Sequence, residues 1–163
     1  MSHSIDQAAR RMTLLWFVVL SGPLLIGIGI SLLVWLGNYS APVILLPEDT
    51  LRMAAMGAMG LMLVTSRSLR NLLLSPASIA KRTLPGSSSD IEQQAAAQTQ
   101  ASMFLLLGLL DSVSMMILAM SLMQADAELA LLNGIYTLIL GVIAKPDFTR
   151  LIRETGQQLR QTT

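Results

Sequence analysis

One acidic residue lies deep inside an apolar segment of this sequence. Asp111 follows Ala101 by ten positions and precedes Met123 by twelve, in a run that contains no Lys or Arg. An ionised carboxylate at the centre of a bilayer costs about 3 kcal/mol on insertion scales, and intramembrane acids often mark proton or cation paths. We therefore predict that Asp111 is neutral at rest. It serves either as a reversible proton or cation site or as a hydrogen-bonding tie between helices.

Four further residues are predicted to surround this carboxyl. Ser112 and Ser114 flank Asp111 on its own segment. Antiparallel pairing with the next apolar run places Asp111 near the level of Thr137 and Gly141. Thr137 can donate a hydrogen bond to the carboxyl, and Gly141 allows a close backbone approach. Together these five residues form the candidate ion or proton site.

A second chemical pattern is a run of methionines. Met53, Met56, Met59 and Met62 recur at a spacing of three, interleaved with alanine and glycine. Thioether sulfurs ligate Cu(I), but the chain has no cysteine to support such a site, and His3 is the only histidine. The pattern therefore favours a helix-packing face, in which small residues allow close approach and flexible Met fills gaps. We predict no metal and no cofactor.

The sequence lacks the motifs of the common enzyme classes. It has no Gly-rich nucleotide loop, no nucleophile with a nearby base, no paired catalytic carboxylates and no zinc-ligand spacing. The absence of cysteine also excludes disulfides and thiolate catalysis. A net charge of +1 gives no reason to expect a nucleic-acid partner. We expect a non-enzymatic protein.

The composition indicates that membrane helices position the candidate residues. Hydrophobic residues make up 53% of the chain and charged residues only 13%, with a mean hydropathy of +0.60. A spanning helix needs about 20 apolar residues. We predict a single all-α domain with four transmembrane helices, a cytoplasmic linker and a cytoplasmic tail. The spans cover about residues 13–37, 51–74, 101–123 and 127–144, the linker covers 75–100, and the tail covers 145–163.

The charged residues orient these spans. Ten of the eleven Lys and Arg residues lie in the N-terminus, the central segment and the tail, whereas Arg52 lies among the acidic residues of the opposite turns. The positive-inside rule then predicts two tandem hairpins with both termini in the cytoplasm, in the bacterial inner membrane. The candidate surface for anionic lipid headgroups or a protein partner consists of Arg67, Arg70, Lys81, Arg82, Arg150 and Arg153.

Two cytoplasmic segments are predicted to be amphipathic helices. Ser89-Asp90-Ile91-Glu92 fits a capping box, so the third helix begins near Asp90 and projects into the cytoplasm. Lys145-Pro146 ends the fourth span, and a basic helix follows through about Arg160. The apolar face of this tail either lies at the membrane interface or packs on the central helix.

The third and fourth spans carry a resemblance to a known family. Asp111-Ser112-Val113-Ser114-Met115-Met116-Ile117, a mid-membrane acid in a helical hairpin, resembles the ion-binding hairpin of the rotary ATPase c-type proteolipids. The family's Gly-repeat helix is represented only by Gly27-Ile28-Gly29-Ile30-Ser31, and the charged linker and basic tail depart from the family pattern. The resemblance implies an ion-binding role for Asp111.

Two principal functions remain open from the sequence. The first is a small accessory or scaffold subunit that assembles with itself or with other membrane subunits. The alternative is a proton- or cation-translocating subunit that uses Asp111. A small-solute channel formed by oligomerisation is a third possibility.

Overall fold

The computed structural model describes residues 2–42, 46–81 and 90–162, so Arg82 and Ser89 lie outside the described residues. Within these ranges all regular structure is helical, which confirms the predicted all-α class. Six helices follow one another along the chain: α1 (Ser2–Trp35), α2 (Glu48–Leu73), α3 (Pro76–Ala80), α4 (Ile91–Gln124), α5 (Ala127–Ala144) and α6 (Phe148–Thr162).

Three of these helices, α1, α4 and α5, are long and apolar enough to cross a membrane. They confirm the prediction of a multi-pass membrane protein. Helix α2 is not among the three. Its apolar run is interrupted by glycines and bounded by Arg52 at one end and Arg67 and Arg70 at the other, and these residues lower its mean hydropathy.

Helices α4 and α5 form an antiparallel hairpin with a tight turn. Ala125 adopts the left-handed conformation, with φ 54°, and its N–H donates to the carbonyl groups of Ser121 and Leu122. Asp126 then caps α5, because its carboxylate accepts the backbone N–H of Leu129 at 3.0 Å. At the other end of α4, the Asp90 side chain accepts the N–H of Glu92. Local caps therefore set the ends of this hairpin.

The two predicted hairpins are not equivalent in the structure. Helix α1 packs against α5 and α4, and α2 packs against the same two helices, but α1 and α2 share no close backbone contact. They therefore lie on different sides of the α4–α5 hairpin. Of the two predicted hairpins, only α4 and α5 pack on each other in the described residues; the four-span topology stays a prediction. Small residues bring α1 close to α5.

Helix α6 packs beside the first turns of α1 and α4 and beside α3. Its buried side chains recur on one face at Phe148, Ile152, Thr155 and Leu159. Phe148 meets Trp16 of α1 edge to face, with the ring centroids 6.1 Å apart. The tail therefore takes the second of its two predicted positions and packs on the helical bundle.

The charged residues divide between the two ends of the bundle. The turn end contains the α4–α5 turn, the start of α2 and Arg52. The basic end contains the start of α1, the end of α2, the start of α4, the end of α5, and α6. Every other Lys and Arg in the described ranges lies at the basic end, namely Arg10, Arg11, Arg67, Arg70, Lys81, Lys145, Arg150, Arg153 and Arg160.

Candidate functional site

Asp111 is half-buried on α4, and its predicted partners are engaged elsewhere. The buried Oδ1 atom of Asp111 has no hydrogen-bond partner among the described residues. The hydroxyl of Thr137 donates instead to the carbonyl of Gly134 at 2.8 Å. Ser112 is exposed and donates to the carbonyl of Leu109 at 2.8 Å. The predicted hydrogen bond from Thr137 is therefore absent, because both hydroxyls bond within their own helices.

Ser114 belongs to a buried polar pair between α4 and α5. The side-chain amide of Asn133 donates to the Ser114 hydroxyl at 2.7 Å and to the Ser114 carbonyl at 3.2 Å. Both residues are fully buried. Asn133, Tyr136 and Thr137 form a polar stripe that is visible in the sequence of α5, and the long amide of Asn133 reaches α4 where the short hydroxyl of Thr137 does not. This pair joins the hairpin near the level of Asp111.

Gly141, the fifth member of the predicted site, contacts α1 and not Asp111. Its carbonyl accepts a hydrogen bond from the indole N–H of Trp16 at 2.9 Å. A Cβ atom at Gly141 would lie 3.1 Å from Cδ1 of Leu20, also on α1. The close backbone approach that the glycine allows is thus made by α1. Neither Thr137 nor Gly141 therefore bonds to Asp111. Ser114 is near Asp111 only as its neighbour along α4.

Glycines bring the backbones of α1 and α5 into contact. A Cβ atom on Gly27 would lie 2.5 Å from the carbonyl oxygen of Ala130, and one on Gly134 would lie 2.7 Å from Cα of Leu24. Ser31 adds a cross-helix hydrogen bond to the carbonyl of Ala127 at 3.1 Å. Small residues four apart are typical of close membrane-helix packing. Gly27 and Ser31 of the Gly-rich stretch at 27–31 therefore pack within the chain, whereas Gly29 is exposed.

The turn end contains an ionic cluster that the sequence reading missed. The guanidinium of Arg52 contacts both carboxylate oxygens of Asp126, at 2.8 Å and 3.0 Å. It also lies 2.8 Å from Glu48 and 3.1 Å from Glu128. The signal for this cluster in the sequence was a single arginine, Arg52, among the four acidic residues of the two predicted outer turns. The contact joins α2 to the α4–α5 turn across 74 positions of sequence.

The environment of Asp126 favours its charged form. Burial alone would raise the pKa of this carboxyl, but the hydrogen bonds from Arg52 and from the backbone N–H of Leu129 outweigh burial and lower the pKa below its ordinary value. Only 4% of the Asp126 side chain is exposed. The cluster is therefore a nearly buried ion pair with two exposed acidic neighbours.

The predicted basic surface is only partly brought together. Arg70 and Arg150 line one cleft of about 390 Å³ between the end of α2 and the start of α6. Arg150 pairs with Glu154 at 2.6 Å, and Arg153 lies 3.9 Å from Asp6 of α1. Arg67 and Lys81 are exposed outside this cleft. Arg82 cannot be placed with them, since it lies outside the described residues.

A core of three apolar helices, buried polar contacts between them and ionic layers at the two ends define a multi-pass helical membrane protein. Comparison of the chain with known protein families, with curated proteins and with solved structures gives no significant match. The function is therefore inferred from the geometry of the chain itself.

Proposed function

We propose that the protein is a small non-enzymatic subunit of the bacterial inner membrane. It crosses the membrane four times, with both termini in the cytoplasm, and assembles with itself or with another membrane protein through α2. The observation that carries this proposal is the outward face of α2. The concentration of Lys and Arg at one end of the bundle supports the orientation.

Helix α2 uses one face inside the chain and leaves the other open. Leu51, Ala55 and Met59 are buried against the α4–α5 hairpin. On the outward face, nothing lies within 4 Å of the Cβ position of either Gly57 or Gly60. Exposed glycines leave the helix backbone accessible, and small residues on such a face allow another membrane helix to approach closely.

The methionine run also divides between these two faces. Met59 is buried in the bundle, whereas Met53 and Met56 are exposed. The division follows from geometry, because a spacing of three drifts around a helix that has 3.6 residues per turn. Flexible methionines beside exposed glycines suit a contact surface that adapts to a partner. Because α2 is also the least apolar of the long helices, protein is a better neighbour for this face than lipid.

Introducing bulk on this face is expected to break the assembly. The double variant Gly57→Leu with Gly60→Leu should convert at least half of the oligomer or complex to the free subunit in mild detergent, because two leucines prevent the backbone approach. Native mass spectrometry measures the change. Gly29→Leu is the matched control, since Gly29 is an exposed glycine of α1 with equally open space. An assembly that survives the double variant, or that Gly29→Leu weakens equally, contradicts the proposal.

The four-span topology is tested by labelling single cysteines, because the chain contains none of its own. Ser40, Asn71 and Gln161 are exposed and suit replacement by cysteine. In right-side-out vesicles, an impermeant maleimide should label Ser40→Cys and leave Asn71→Cys and Gln161→Cys unlabelled. Labelling of Asn71→Cys from outside would show that α2 does not cross the membrane. Labelling of Gln161→Cys would overturn the position of the C-terminus.

The second candidate function is proton or cation translocation through Asp111. The observation that favours it is the buried Oδ1 atom, which no group in the described ranges hydrogen-bonds. The apolar run around Asp111 also contains no Lys or Arg to neutralise the carboxylate permanently. A carboxyl of this kind is available for reversible proton or cation binding.

The variant Asp111→Asn separates the two candidate functions. If Asp111 carries ions, proton flux into proteoliposomes should fall at least tenfold, because the amide has nearly the same shape but does not titrate. Assembly and thermal stability should stay unchanged. Thr65→Val is the control, since Thr65 lies on α2 outside the candidate site and its hydroxyl donates within its own helix. Absence of flux from the unaltered protein, or equal flux through Asp111→Asn, would remove this candidate.

A further inference from the structure

A cleft of about 600 Å³ separates the start of α1 from the junction between α5 and α6. Arg10 and Thr13 line it from α1, and Lys145 and Thr149 line it from the two sides of Pro146. Neither Arg10 nor Lys145 belongs to the basic surface that was named from the sequence. The cleft is therefore a separate site with its own pair of cations.

The two carboxylates in the lining contact groups other than Arg10 and Lys145. Asp6 lies 3.9 Å from Arg153, a residue that does not line the cleft. Asp147 accepts the backbone N–H of Arg150 at 3.1 Å and so caps α6. By contrast, Arg10 and Lys145 have no ion-pair partner in the part of the chain that the structure describes. Because neither carboxylate forms an ion pair with Arg10 or Lys145, both cations remain available to an anion from outside the chain.

The position of the cleft matches the boundary between hydrocarbon and headgroups. Lys145 follows Ala144, the last residue of the apolar helix α5, and its ammonium group lies 5.5 Å from the centre of the Phe17 ring. Thr13 precedes the long apolar run of α1. The start of α6 is already capped by Asp147. The guanidinium of Arg10 and the ammonium of Lys145 are therefore the donors in the cleft that suit a phosphate group.

An apolar stripe continues from the cleft along α1. Arg10, Leu14, Phe17 and Val18 lie on one side of the helix by their spacing of three and four residues. Leu14, Phe17 and Val18 are all exposed. The same side of α1 therefore presents a cation at the headgroup level and an exposed apolar surface beyond it. This order matches a phospholipid, in which a charged headgroup is followed by apolar acyl chains.

We propose that this cleft binds the phosphate of an anionic phospholipid, with an acyl chain along the exposed stripe of α1. The guanidinium of Arg10 pairs with the phosphate oxygens, and Lys145 supplies the second charge. The inference rests on the proposed orientation, in which the basic end lies at a membrane surface. It does not depend on assembly through α2.

The test uses the full chain in mild detergent, with phosphatidylglycerol or phosphatidylcholine added. Phosphatidylglycerol should raise the Tm by several degrees and remain bound in native mass spectra, whereas phosphatidylcholine should do neither. The double variant Arg10→Gln with Lys145→Gln should lose at least two-thirds of the shift. Arg11→Gln with Lys81→Gln is the matched control, because it removes the same charge from exposed positions outside the cleft and should keep the full shift.

Three results would overturn the proposal. An equal loss in the control double variant would indicate general attraction to the basic end. The same Tm shift with inorganic phosphate at equal concentration would identify a site for free phosphate. If the glutamine double variant is unstable without lipid, the single variants Arg10→Gln and Lys145→Gln are used instead, and a full shift in both contradicts the proposal. A smaller shift in either one supports it. The labelling and α2 experiments are separate, so their failure is distinguishable from failure here.

Discussion

Replacing Arg52 by Gln is expected to lower the free energy of unfolding by about 3 kcal/mol. The variant leaves the Asp126 carboxylate, of which only 4% is exposed, without its counter-charge. Removing one partner of a buried pair costs about 3–5 kcal/mol, and the lower end applies because 34% of the Arg52 side chain is exposed. The loss is measured by denaturant titration in detergent micelles.

Two matched controls separate burial from charge in this cluster. Glu48→Gln and Glu128→Gln each remove one exposed partner of Arg52, with 68% and 74% of the side chain exposed. Each should cost about 0.5 kcal/mol, as exposed ion pairs do. Arg52→Gln combined with Asp126→Asn should recover at least half of the loss, because Asn keeps the N-cap without a buried charge. If Arg52→Gln costs no more than the glutamate variants, the ion pair is not important for stability.

The same cluster implies a direction for pH dependence. Since the pKa of Asp126 is lower in the folded protein, its stabilising contribution is present above the unfolded pKa of about 3.9 and is lost as pH falls through the folded value. The unaltered protein should therefore lose more stability between pH 7 and pH 3 than Asp126→Asn. Unfolding midpoints at the two pH values test this difference, and equal losses would contradict it.

Gly134→Ala is expected to destabilise the bundle by about 2–3 kcal/mol, at the upper end of the usual cost of overpacking. The added Cβ atom would lie 2.7 Å from Cα of Leu24. Because that neighbour is backbone, the clash is relieved only by moving α1 away from α5. Such a movement also strains the hydrogen bond from Trp16 to Gly141. A shift of Trp16 emission, measured in a Trp35→Phe background beside the unfolding midpoint, reports the displacement.

Glycines in open space provide the control for this effect. Gly22 and Gly29 are also on α1, but nothing lies within 4 Å of their Cβ positions. Alanine at either position should leave stability unchanged or raise it by up to about 1 kcal/mol, because alanine favours the helix. A cost at Gly29→Ala equal to that at Gly134→Ala would show that the loss does not come from the α1–α5 contact, since helix propensity alone favours alanine at both positions.

Helix boundaries were the most predictable part of the fold. The predicted fourth span at 127–144 coincides with α5, and the predicted start near Asp90 matches the cap of α4. Both follow from local chemistry, since an apolar run and a capping side chain act within a few residues. The predicted second segment at 51–74 matches a helix at Glu48–Leu73, but its polar ends and glycines make it less apolar than the other three.

The candidate site was less predictable. The sequence pattern assigned both Ser114 and Thr137 to a site around Asp111. The structure pairs Ser114 with Asn133, and Thr137 bonds within its own helix. The choice depends on how far α4 and α5 are rotated about their axes and on the reach of each side chain. Neither quantity can be read from residue spacing alone.

By itself, the sequence determined that this is a helical membrane protein with a basic end and an acidic turn end. The reason is that the preference of each residue for water or lipid depends on its own side chain. Only the tertiary structure decided that α1 packs on α5, that α2 lies on another side of the hairpin, and that Arg52 pairs with Asp126. Lipid solvates one apolar helix face as well as another, so hydropathy does not select which faces pack together. Partners are therefore selected by close backbone approach and hydrogen-bond geometry, which depend on pairs of residues far apart in the chain.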